Sequence, residues 1–365
     1  MNPDRIALQS EYESFTSGDL EWEFVDISES AALKDEIEAF LHRCDLDLDA
    51  NISQFVTVRA RRTLQACAGM GENIIKCVAV SEALRGENIT SRLITEVSNL
   101  AADLGRYHLF LYTKPDNVPI FTRCGFYSLA EMAGAVTLME NTPSGLARYR
   151  EGLATKRKPG NRIGAIVMNA NPFTYGHRYL AQQAEAQCDW LHVFVVGENS
   201  SLITYDDRFA LVCAGLEGAQ RTTIHPGSAY MVSKATFPSY FLKDKGIVDA
   251  CHTAIDLILF RNNIAPALGI THRFVGTEPF CAVTHKYNAD MKHWLMSAPL
   301  PTPPVTVVEI ERKAQSGRAI SASEVRRLLR ADDFEAMAAI APPSTVDLLR
   351  TKYFDPGARE ATGTG

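Results

Sequence analysis

The chain has 365 residues, of which 46% are hydrophobic and 22% are charged, and its formal net charge is −6. This length favours two domains, and the negative charge argues against non-specific binding to nucleic acid. No apolar run reaches the length of a membrane span, the N-terminus lacks the pattern of a signal peptide, and the eight cysteines form no C-x-x-C pair. We therefore expect a cytoplasmic protein without a nucleic-acid or membrane partner.

The first 140 residues carry strand and helix signals in an irregular order. Four short runs predict strands: "QFVTVRA", "QACAGM", "NIIKCVAV" and "LFLYT". The amphipathic stretch "SRLITEVSNLAADLG" predicts a helix between the last two of these strands. Antiparallel strands followed by a strand–helix–strand unit indicate an α/β domain over residues 1–140.

Residues 141–160 are polar and end in a basic cluster, so we predict a linker with a short helix near 145–155. From residue 161, strand and helix signals alternate. The predicted strands are "RIGAIVM", "WLHVFVV", "RTTIH", "HRFVG" and "VTVVEIE", and the predicted helices are "HRYLAQQAEAQ", "DDRFALVCAGLEG", a stretch within 247–263, one around 285–296, and "SASEVRRLLRA". This alternation predicts a doubly wound parallel sheet over 161–350, followed by a tail at 351–365, with ligands beyond the carboxyl ends of the strands.

The stretch "NANPFTYGH" follows the first strand of this sheet and precedes a helix. A helix N-terminus presents unpaired N–H groups and a positive dipole end, which bind anions such as phosphate. Gly176 permits a close backbone approach, Pro172 stiffens the loop, and His177 stands in the first turn, where it can donate to an α-phosphate. Further candidate contacts are Asn169, Asn171, Phe173 and Thr174.

A second segment, "ISASEVRRLL", follows the last strand of the sheet and opens another helix. Ser321 and Ser323 can cap this helix or contact a ligand. Arg326 can reach anionic oxygens with its guanidinium fork or lie solvated on the helix. Because both helices begin at the same edge of the sheet, the two segments can hold one triphosphate from two sides.

Together the two segments resemble the T/H-x-G-H and I-S-x-S-x-x-R motifs of the nucleotidyltransferase superfamily. "FVGTEPF" resembles the segment that lines the nucleotide pocket in that superfamily. The resemblance implies catalytic roles for Thr174, His177 and Arg326. It also implies nucleotide contacts from Gly276, Thr277 and Glu278.

A longer resemblance, over about residues 30–350, is to the citrate lyase ligase family. It rests on "GAIVMNANPFT", "QCDWLH", "ATFPSYF", "THRFVGTEPF" and "AISASEVRRLL", and in the front half on "FLHRCDLDLD" and "IIKCVAVSE". The resemblance implies an α/β protein of two domains, a Gcn5-related-acetyltransferase-like domain followed by a doubly wound, Rossmann-like nucleotidyltransferase domain.

The front half departs from the acetyltransferase pattern at one place. "VSEALRGENITSRLITEV" and "DNVPIFTRCGF" resemble the acyl-CoA loop and a later helix of Gcn5-related acetyltransferases. The two glycines that admit pyrophosphate in that family are Asn88 and Thr90 here, and a β-branched residue resists positive φ. The resemblance therefore implies a contact with acyl-CoA or a phosphopantetheine arm, or a structural role, rather than active acetyl transfer.

The family resemblance also implies a reaction. ATP, with Mg²⁺ on its phosphates, and acetate give acetyl adenylate and pyrophosphate. The acetyl group then passes to the thiol of a CoA-like prosthetic group on the acyl-carrier (gamma) subunit of citrate lyase. The chain itself is expected to supply no metal ligand, because Mg²⁺ is held by phosphate oxygens and water.

Two alternatives stay open at this point. An adenylyltransferase that acts on a phosphorylated acceptor, such as a pantetheine or nicotinamide compound, would carry the same two motifs but would not need acetate. A binding module whose front half docks a carrier protein would not bind ATP at all. The presence of Gly176, His177 and Arg326 favours an active site over the binding module.

Overall fold

The computed structural model describes residues 20–84, 88–197, 202–231, 237, 240, 245–277, 282–315 and 318–354. The chain forms two compact units: unit 1 contains Met1–Arg148 and Thr236–Ile255, and unit 2 contains Tyr149–Ala235 and Asp256–Gly365. Unit 1 thus includes a segment that lies, in the sequence, among elements of unit 2. No helix in the described ranges is long and apolar enough to cross a membrane.

Unit 1 contains a seven-stranded mixed sheet. Its elements are β1 (Leu20–Asp26), α1 (Ala31–Arg43), β2 (Gln54–Ala60), β3 (Thr63–Gly71), β4 (Ile74–Val80), α2 (Ile89–Asp103), β5 (Phe110–Thr113), α3 (Val118–Arg123), β6 (Tyr127–Met132) and β7 (Val136–Glu140). The strand order is β1-β2-β3-β4-β5-β7-β6; β4 and β5 pair in parallel, and the other neighbours pair antiparallel. The four predicted strands and α2 are confirmed, whereas β1, α1, β6 and β7 were not predicted.

Helix α2 packs on this sheet through one apolar stripe. Leu93, Ile94, Val97 and Ala101 recur at the three- and four-residue spacing of a helix face and are buried. They pack in one cluster with strand residues such as Leu111. Burial of each larger apolar side chain contributes roughly 1.5–3 kcal/mol, so this stripe fixes the position of α2 beside β4 and β5.

Unit 2 contains a five-stranded sheet. The chain reaches it through α4 (Gly145–Ala154). The elements that follow along the chain are β8 (Ile163–Met168), α5 (Tyr175–Ala186), β9 (Trp190–Val195), α6 (Tyr205–Gly215), β10 (Thr222–His225), α7 (Lys245–Leu259), α8 (Ala265–Leu268), β11 (His272–Gly276), α9 (Ala282–Lys292), β12 (Thr306–Ile310), the short pair β13 (Ala314–Gln315) and β14 (Arg318–Ala319), α10 (Ala322–Ala331), α11 (Phe334–Ile340) and α12 (Pro343–Leu348). Of these, α7 belongs to unit 1 up to Ile255. The strand order is β10-β9-β8-β11-β12 and every pair is parallel. The helix predicted around 285–296 is α9 followed by a π-helical turn, His293–Ser297, and α11 and α12 were not predicted.

Strand β8 shows why the sheet is covered on both faces. Ile163 and Ala165 pack in one apolar cluster, and Ile166 and Met168 pack in another, as expected when side chains alternate along a strand. The predicted doubly wound parallel sheet is therefore confirmed. The strand order reverses between β8 and β11, and ligands of such sheets bind at this switch point, beyond the carboxyl ends of the strands.

Candidate functional site

The first residues of α5 form a capping box. Thr174 is the N-cap residue, and its Oγ1 accepts a hydrogen bond from the backbone N–H of His177 at 3.4 Å. In return, the Thr174 backbone N–H donates to Nδ1 of the His177 ring at 3.1 Å. The box satisfies two N–H groups of the helix start and fixes the imidazole relative to the helix axis.

This contact also determines which ring nitrogen of His177 carries the proton. A backbone N–H can only donate, so Nδ1 is the acceptor and the proton of the neutral ring lies on Nε2. The Phe173 ring stacks on the imidazole at 5.5 Å between centroids. Burial and the positive charge of Arg312 lower the pKa of His177 to about 4. At neutral pH, His177 is therefore an uncharged hydrogen-bond donor through Nε2.

Phe173 and Pro172 anchor the loop that precedes α5. Both side chains are buried, and the Phe173 ring is fully inside the core of unit 2. A Cβ at Gly215 would lie 2.2 Å from that ring, so only glycine leaves room for it there. The Phe173 carbonyl accepts a hydrogen bond from Thr345 Oγ1 at 3.0 Å. The structure thus places these two predicted ligand contacts as supports of the loop.

The two sequence motifs meet in space. A Cβ on Gly176 would lie 3.2 Å from the Ile320 carbonyl oxygen, so the glycine lets the segment before α10 approach the start of α5. Arg326 donates through Nη1 to the Asn171 carbonyl and through Nη2 to Ser323 Oγ at 3.1 Å. In this structure, Arg326 therefore connects α10 to the loop before α5.

Ser321 begins α10 as its N-cap residue. Its Oγ accepts a hydrogen bond from the Glu324 backbone N–H at 3.1 Å, which is the capping role considered for it from the sequence. The Glu324 carboxylate pairs with Arg327 at 2.7 Å and points along the helix surface. Ser323, by contrast, is exposed and contacts the guanidinium of Arg326.

Arg208, on α6, holds the first residue of the loop. Its side chain is fully buried, and Nη1 donates to both the backbone oxygen and Oδ1 of Asn169 at 2.7 Å. Nη1 also donates to the Val196 carbonyl at 2.9 Å, at the end of β9. Arg208 thus joins the carboxyl ends of β8 and β9 and brings a positive charge to them.

The carboxyl end of β11 brings a further arginine. Gly276 is the last residue of β11 and Thr277 comes directly after it. The Gly276 carbonyl accepts a hydrogen bond from Asn288 Nδ2 at 3.3 Å. Thr277 Oγ1 accepts from the Arg312 backbone N–H at 3.3 Å, and a Cβ on Gly276 would lie 3.6 Å from Arg312 Nε. The Arg312 charge also acts on His177. Gly276 and Thr277 therefore lie in the same neighbourhood as the start of α5. The predicted contact Glu278 lies outside the described residues.

The arrangement favours an anionic ligand with several phosphate groups. The starts of two helices, α5 and α10, lie side by side, and each carries the positive end of a helix dipole. Three arginines and a neutral histidine donor surround the loop between β8 and α5. Among the described residues, no group of three or more His, Cys, Asp or Glu could hold a metal ion.

Arg208 and Arg312 were not among the residues predicted from the sequence. Arg312 carried a usable signal, because it follows the carboxyl end of the last strand, where ligand contacts are expected. Arg208 lies inside α6 and reaches the loop only through its buried side chain. Nothing in the pattern of α6 distinguishes it from a solvated helix arginine.

The chain is similar over most of its length to three proteins named citrate (pro-3S)-lyase ligase. It is 50% identical to the citrate (pro-3S)-lyase ligase of Escherichia coli strain K12, over 90% of this chain and 94% of that protein. It is 48% identical to the enzyme of the same name from Klebsiella pneumoniae, over 87% of this chain and 92% of that protein. The ligase of Haemophilus influenzae is 47% identical, over 86% and 94% of the two chains.

Solved structures match parts of the chain with low TM-scores. Escherichia coli ElaA covers 34% of this chain and 99% of its own, with 19% identity and a TM-score of 0.29. An acyl-CoA N-acyltransferase from Pseudomonas aeruginosa covers 34% and 99%, with 15% identity and a TM-score of 0.30. Thermotoga maritima TmcAL, solved with α-thio ATP, covers 53% and 56%, with 14% identity and a TM-score of 0.33.

A family model supports the same assignment as the ligases. The model described as the citrate lyase ligase C-terminal domain matches residues 163–349, which span unit 2 from β8 to α12 and include both motifs. This match and the identity of 50% over 90% of the chain agree on one family. The chain belongs to the citrate lyase ligase family.

Proposed function

We propose that this protein is an ATP-dependent ligase that adenylates acetate and passes the acetyl group to the prosthetic-group thiol of citrate lyase. The observation that carries the proposal is the junction of the two motifs: Gly176 packs on Ile320 and Arg326 donates to the Asn171 carbonyl. The relatives named citrate (pro-3S)-lyase ligase support the choice of reaction. Activation of citrate lyase follows, because the acetylated thiol is the form that the lyase uses.

In the first step, a carboxylate oxygen of acetate attacks the α-phosphate of ATP, and the bond to the β-phosphate breaks. The products are acetyl adenylate and pyrophosphate. Such a step needs positioning and charge stabilisation more than covalent chemistry by the protein. Nε2–H of His177 donates to the reacting phosphate, the N–H groups at the start of α5 and α10 bind further oxygens, and the Arg326 and Arg312 charges balance the leaving pyrophosphate.

In the second step, a thiolate attacks the carbonyl carbon of acetyl adenylate. The carbon–oxygen bond to AMP breaks, AMP leaves with the bonding electron pair, and a thioester forms. The acceptor is the CoA-like prosthetic group on the acyl-carrier subunit of the lyase. The resemblance of the front half to acyl-CoA-binding domains makes unit 1 the candidate for a contact with acyl-CoA or with this prosthetic arm.

In this proposal Mg²⁺ would arrive with ATP, would be held by phosphate oxygens and water, and would neutralise part of the triphosphate charge. The buried Oδ1 of Asn171 has no hydrogen-bond partner among the described residues and fits a metal-bound water or a ligand hydroxyl. The residues present therefore fit a nucleotide that brings its own metal.

The test is the exchange of labelled pyrophosphate into ATP, with and without acetate. Wild-type protein should exchange only when acetate is present. The exchange rate of the variant His177→Ala should be about 10²–10³-fold lower than that of the wild type, because one donor to the reacting phosphate is removed. His293→Ala is the matched control, since His293 is exposed and lies in the π-helical turn after α9.

Two outcomes would contradict the proposal. Exchange that needs no acetate, or that needs a phosphorylated acceptor, would favour the adenylyltransferase. Exchange that survives His177→Ala but is lost in His293→Ala would place the chemistry elsewhere in unit 2.

A further inference from the structure

A buried arginine fixes which way the Asn169 carboxamide faces. Asn169 directly follows β8 and is exposed, whereas the Arg208 side chain is fully buried. Nη1 of Arg208 donates to both the backbone oxygen and Oδ1 of Asn169 at 2.7 Å. A guanidinium can only donate, so Oδ1 is the atom that faces it, and the NH₂ group of the carboxamide is directed away from Arg208. Position 169 therefore presents two N–H donors of fixed orientation at the carboxyl end of β8.

Arg208 is itself held in place from several sides. Its Nε donates to the Ile203 carbonyl at 3.3 Å, and Nη1 donates to the Val196 carbonyl at 2.9 Å. The guanidinium also lies 5.7 Å from the centre of the Tyr205 ring. Because the side chain is fully buried, it does not touch a ligand. Any effect of Arg208 on a ligand passes through the residues that it holds.

The strand order β10-β9-β8-β11-β12 gives the site of unit 2 two sides, one toward β9 and one toward β12. Arg312 follows β12, and its backbone N–H donates to Thr277, just after β11. The helix that carries Arg326, α10, also begins after β12. Arg208, in contrast, ties Asn169 to the end of β9. Asn169 therefore stands on the β9 side of the site.

The two sides suit the two ends of a phosphoryl transfer. An in-line displacement puts the attacking and the leaving oxygen on opposite sides of the phosphorus atom. In the proposed function, the pyrophosphate leaves toward Arg326 and Arg312, on the β12 side. The attacking carboxylate then comes from the β9 side. A carboxylate accepts hydrogen bonds and donates none, and Asn169 offers donors on that side.

We propose that Asn169 holds the carboxylate of acetate through Nδ2–H and that Arg208 is the positioning residue for Asn169. This inference rests on the proposed function. One carboxylate oxygen accepts the hydrogen bond from Asn169, and the other attacks the α-phosphorus. A new phosphorus–oxygen bond forms as the bond to the β-phosphate oxygen breaks. The held oxygen becomes the carbonyl oxygen of acetyl adenylate.

The same donor serves the second step. When the thiolate adds to the carbonyl carbon, the electron pair of the C=O double bond moves onto the held oxygen, which becomes an oxyanion. A donor that is already aimed at this atom stabilises the charge without reorganisation. The pair returns to re-form the C=O bond as the carbon–oxygen bond to AMP breaks. Asn169 thus acts on one oxygen throughout the reaction.

The test separates acetate from ATP. The KM of acetate is measured in the exchange of labelled pyrophosphate into ATP, and the Kd of ATP is measured by calorimetry without acetate. Asn169→Ala should raise the KM of acetate by about 10-fold or more, because a hydrogen bond to a charged group is lost, and should leave the Kd of ATP unchanged. Asn161→Ala is the matched control, since Asn161 is exposed and lies before the other end of β8.

Arg208→Lys tests the positioning role. An ammonium group does not reproduce the geometry of the guanidinium contacts, so this substitution should raise the KM of acetate by about 5-fold in the wild-type background. In the Asn169→Ala background it should raise the KM no further, whereas a merely structural role would act in both backgrounds alike.

Asn169→Asp keeps the proposal testable if Arg208→Lys does not fold. The carboxylate at position 169 retains an oxygen for Arg208 but has no N–H to donate. The KM of acetate should rise at least as much as in Asn169→Ala, while the free energy of unfolding is not lowered.

Three results would overturn the assignment: an unchanged KM of acetate in Asn169→Ala, a Kd of ATP that weakens as much as the KM of acetate rises, or independent effects of the substitutions at positions 169 and 208. Exchange by the wild type that needs no acetate would instead overturn the proposed function. That result is obtained before any variant is made, so the two failures are distinguishable.

Discussion

The site of unit 2 is made by side chains from short sequence motifs. Unit 1, by contrast, contains a cavity of about 450 Å³ that is lined by residues 78–80 of β4, residues 111–113 of β5 and residues from distant segments of the chain. In unit 2, Thr174 and His177 are three positions apart and contact each other directly. In unit 1, Ile75, Leu111 and Tyr240 line one space although more than 160 positions separate the first from the last. The contacts of the unit 2 site form between residues that are close in sequence, whereas the cavity of unit 1 depends on how the strands are ordered and paired.

The difference determines how each site should respond to change. A side-chain site depends on hydrogen bonds, protonation and close packing, so single substitutions and pH should alter it strongly. A cavity between strand edges depends on backbone geometry, so it should tolerate those changes and respond mainly to a side chain that fills it.

Acid should destabilise unit 2 strongly, because two buried histidines there carry no charge. His192 on β9 and His225 on β10 lie 2.9 Å apart, from Nδ1 to Nε2. Burial and the charges of Lys158 and Lys156 lower the pKa of His192 to about 4, and burial and His192 lower that of His225 to about 3. Below pH 6.5 the unfolded chain takes up protons that the folded chain does not, so the free energy of unfolding falls by about 5 kcal/mol as pH drops toward 4.

Urea unfolding at pH 7.5 and at pH 5.0 measures this loss. Amide exchange, corrected for its intrinsic pH dependence, should show that β9 and β10 lose protection while β2 and β3 of unit 1 keep it. The variant His225→Asn should reduce the pH dependence without abolishing it, because His192 and His177 keep their low pKa values. A free energy of unfolding that stays constant over this range would contradict the prediction.

Gly215→Ala should disturb the site of unit 2 through packing alone. Its Cβ would lie 2.2 Å from the Phe173 ring, which is fully buried and stacks on His177. Displacing this ring should cost about 1–3 kcal/mol of stability and lower the acetate-dependent exchange rate.

Gly152→Ala is the control for this prediction. Gly152 lies in α4, and a Cβ there meets no heavy atom within 4 Å. The substitution should raise the free energy of unfolding by about 0.4–1 kcal/mol, because alanine restricts the unfolded chain. If both alanine variants behaved alike, the contact with Phe173 would not explain the glycine at position 215.

The same contrast explains what the sequence could and could not predict. The β8–α5 motif was predictable because a strand, a loop and a helix start are contiguous, and N-cap chemistry acts over three residues. The parallel sheet was predictable from its continuous apolar strands. The cavity of unit 1 was not, because its outline depends on where β4 and β5 stop pairing and on Tyr240, which belongs to a segment far along the chain. Arg208 was missed for a similar reason, since only its burial shows that it holds Asn169.

Arg312→Gln is expected to have the smallest effect and to test the electrostatic part of the site. Burial is the larger cause of the low pKa of His177 and the Arg312 charge the smaller one, so removal of this charge should raise that pKa and reduce exchange only about a few-fold. The imidazole resonance of His177, followed by NMR against pH, measures the change, with Arg330→Gln on α10 as the matched control. An unchanged pKa would mean that burial alone keeps His177 neutral, and the site would then depend on the capping box and on packing rather than on its arginines.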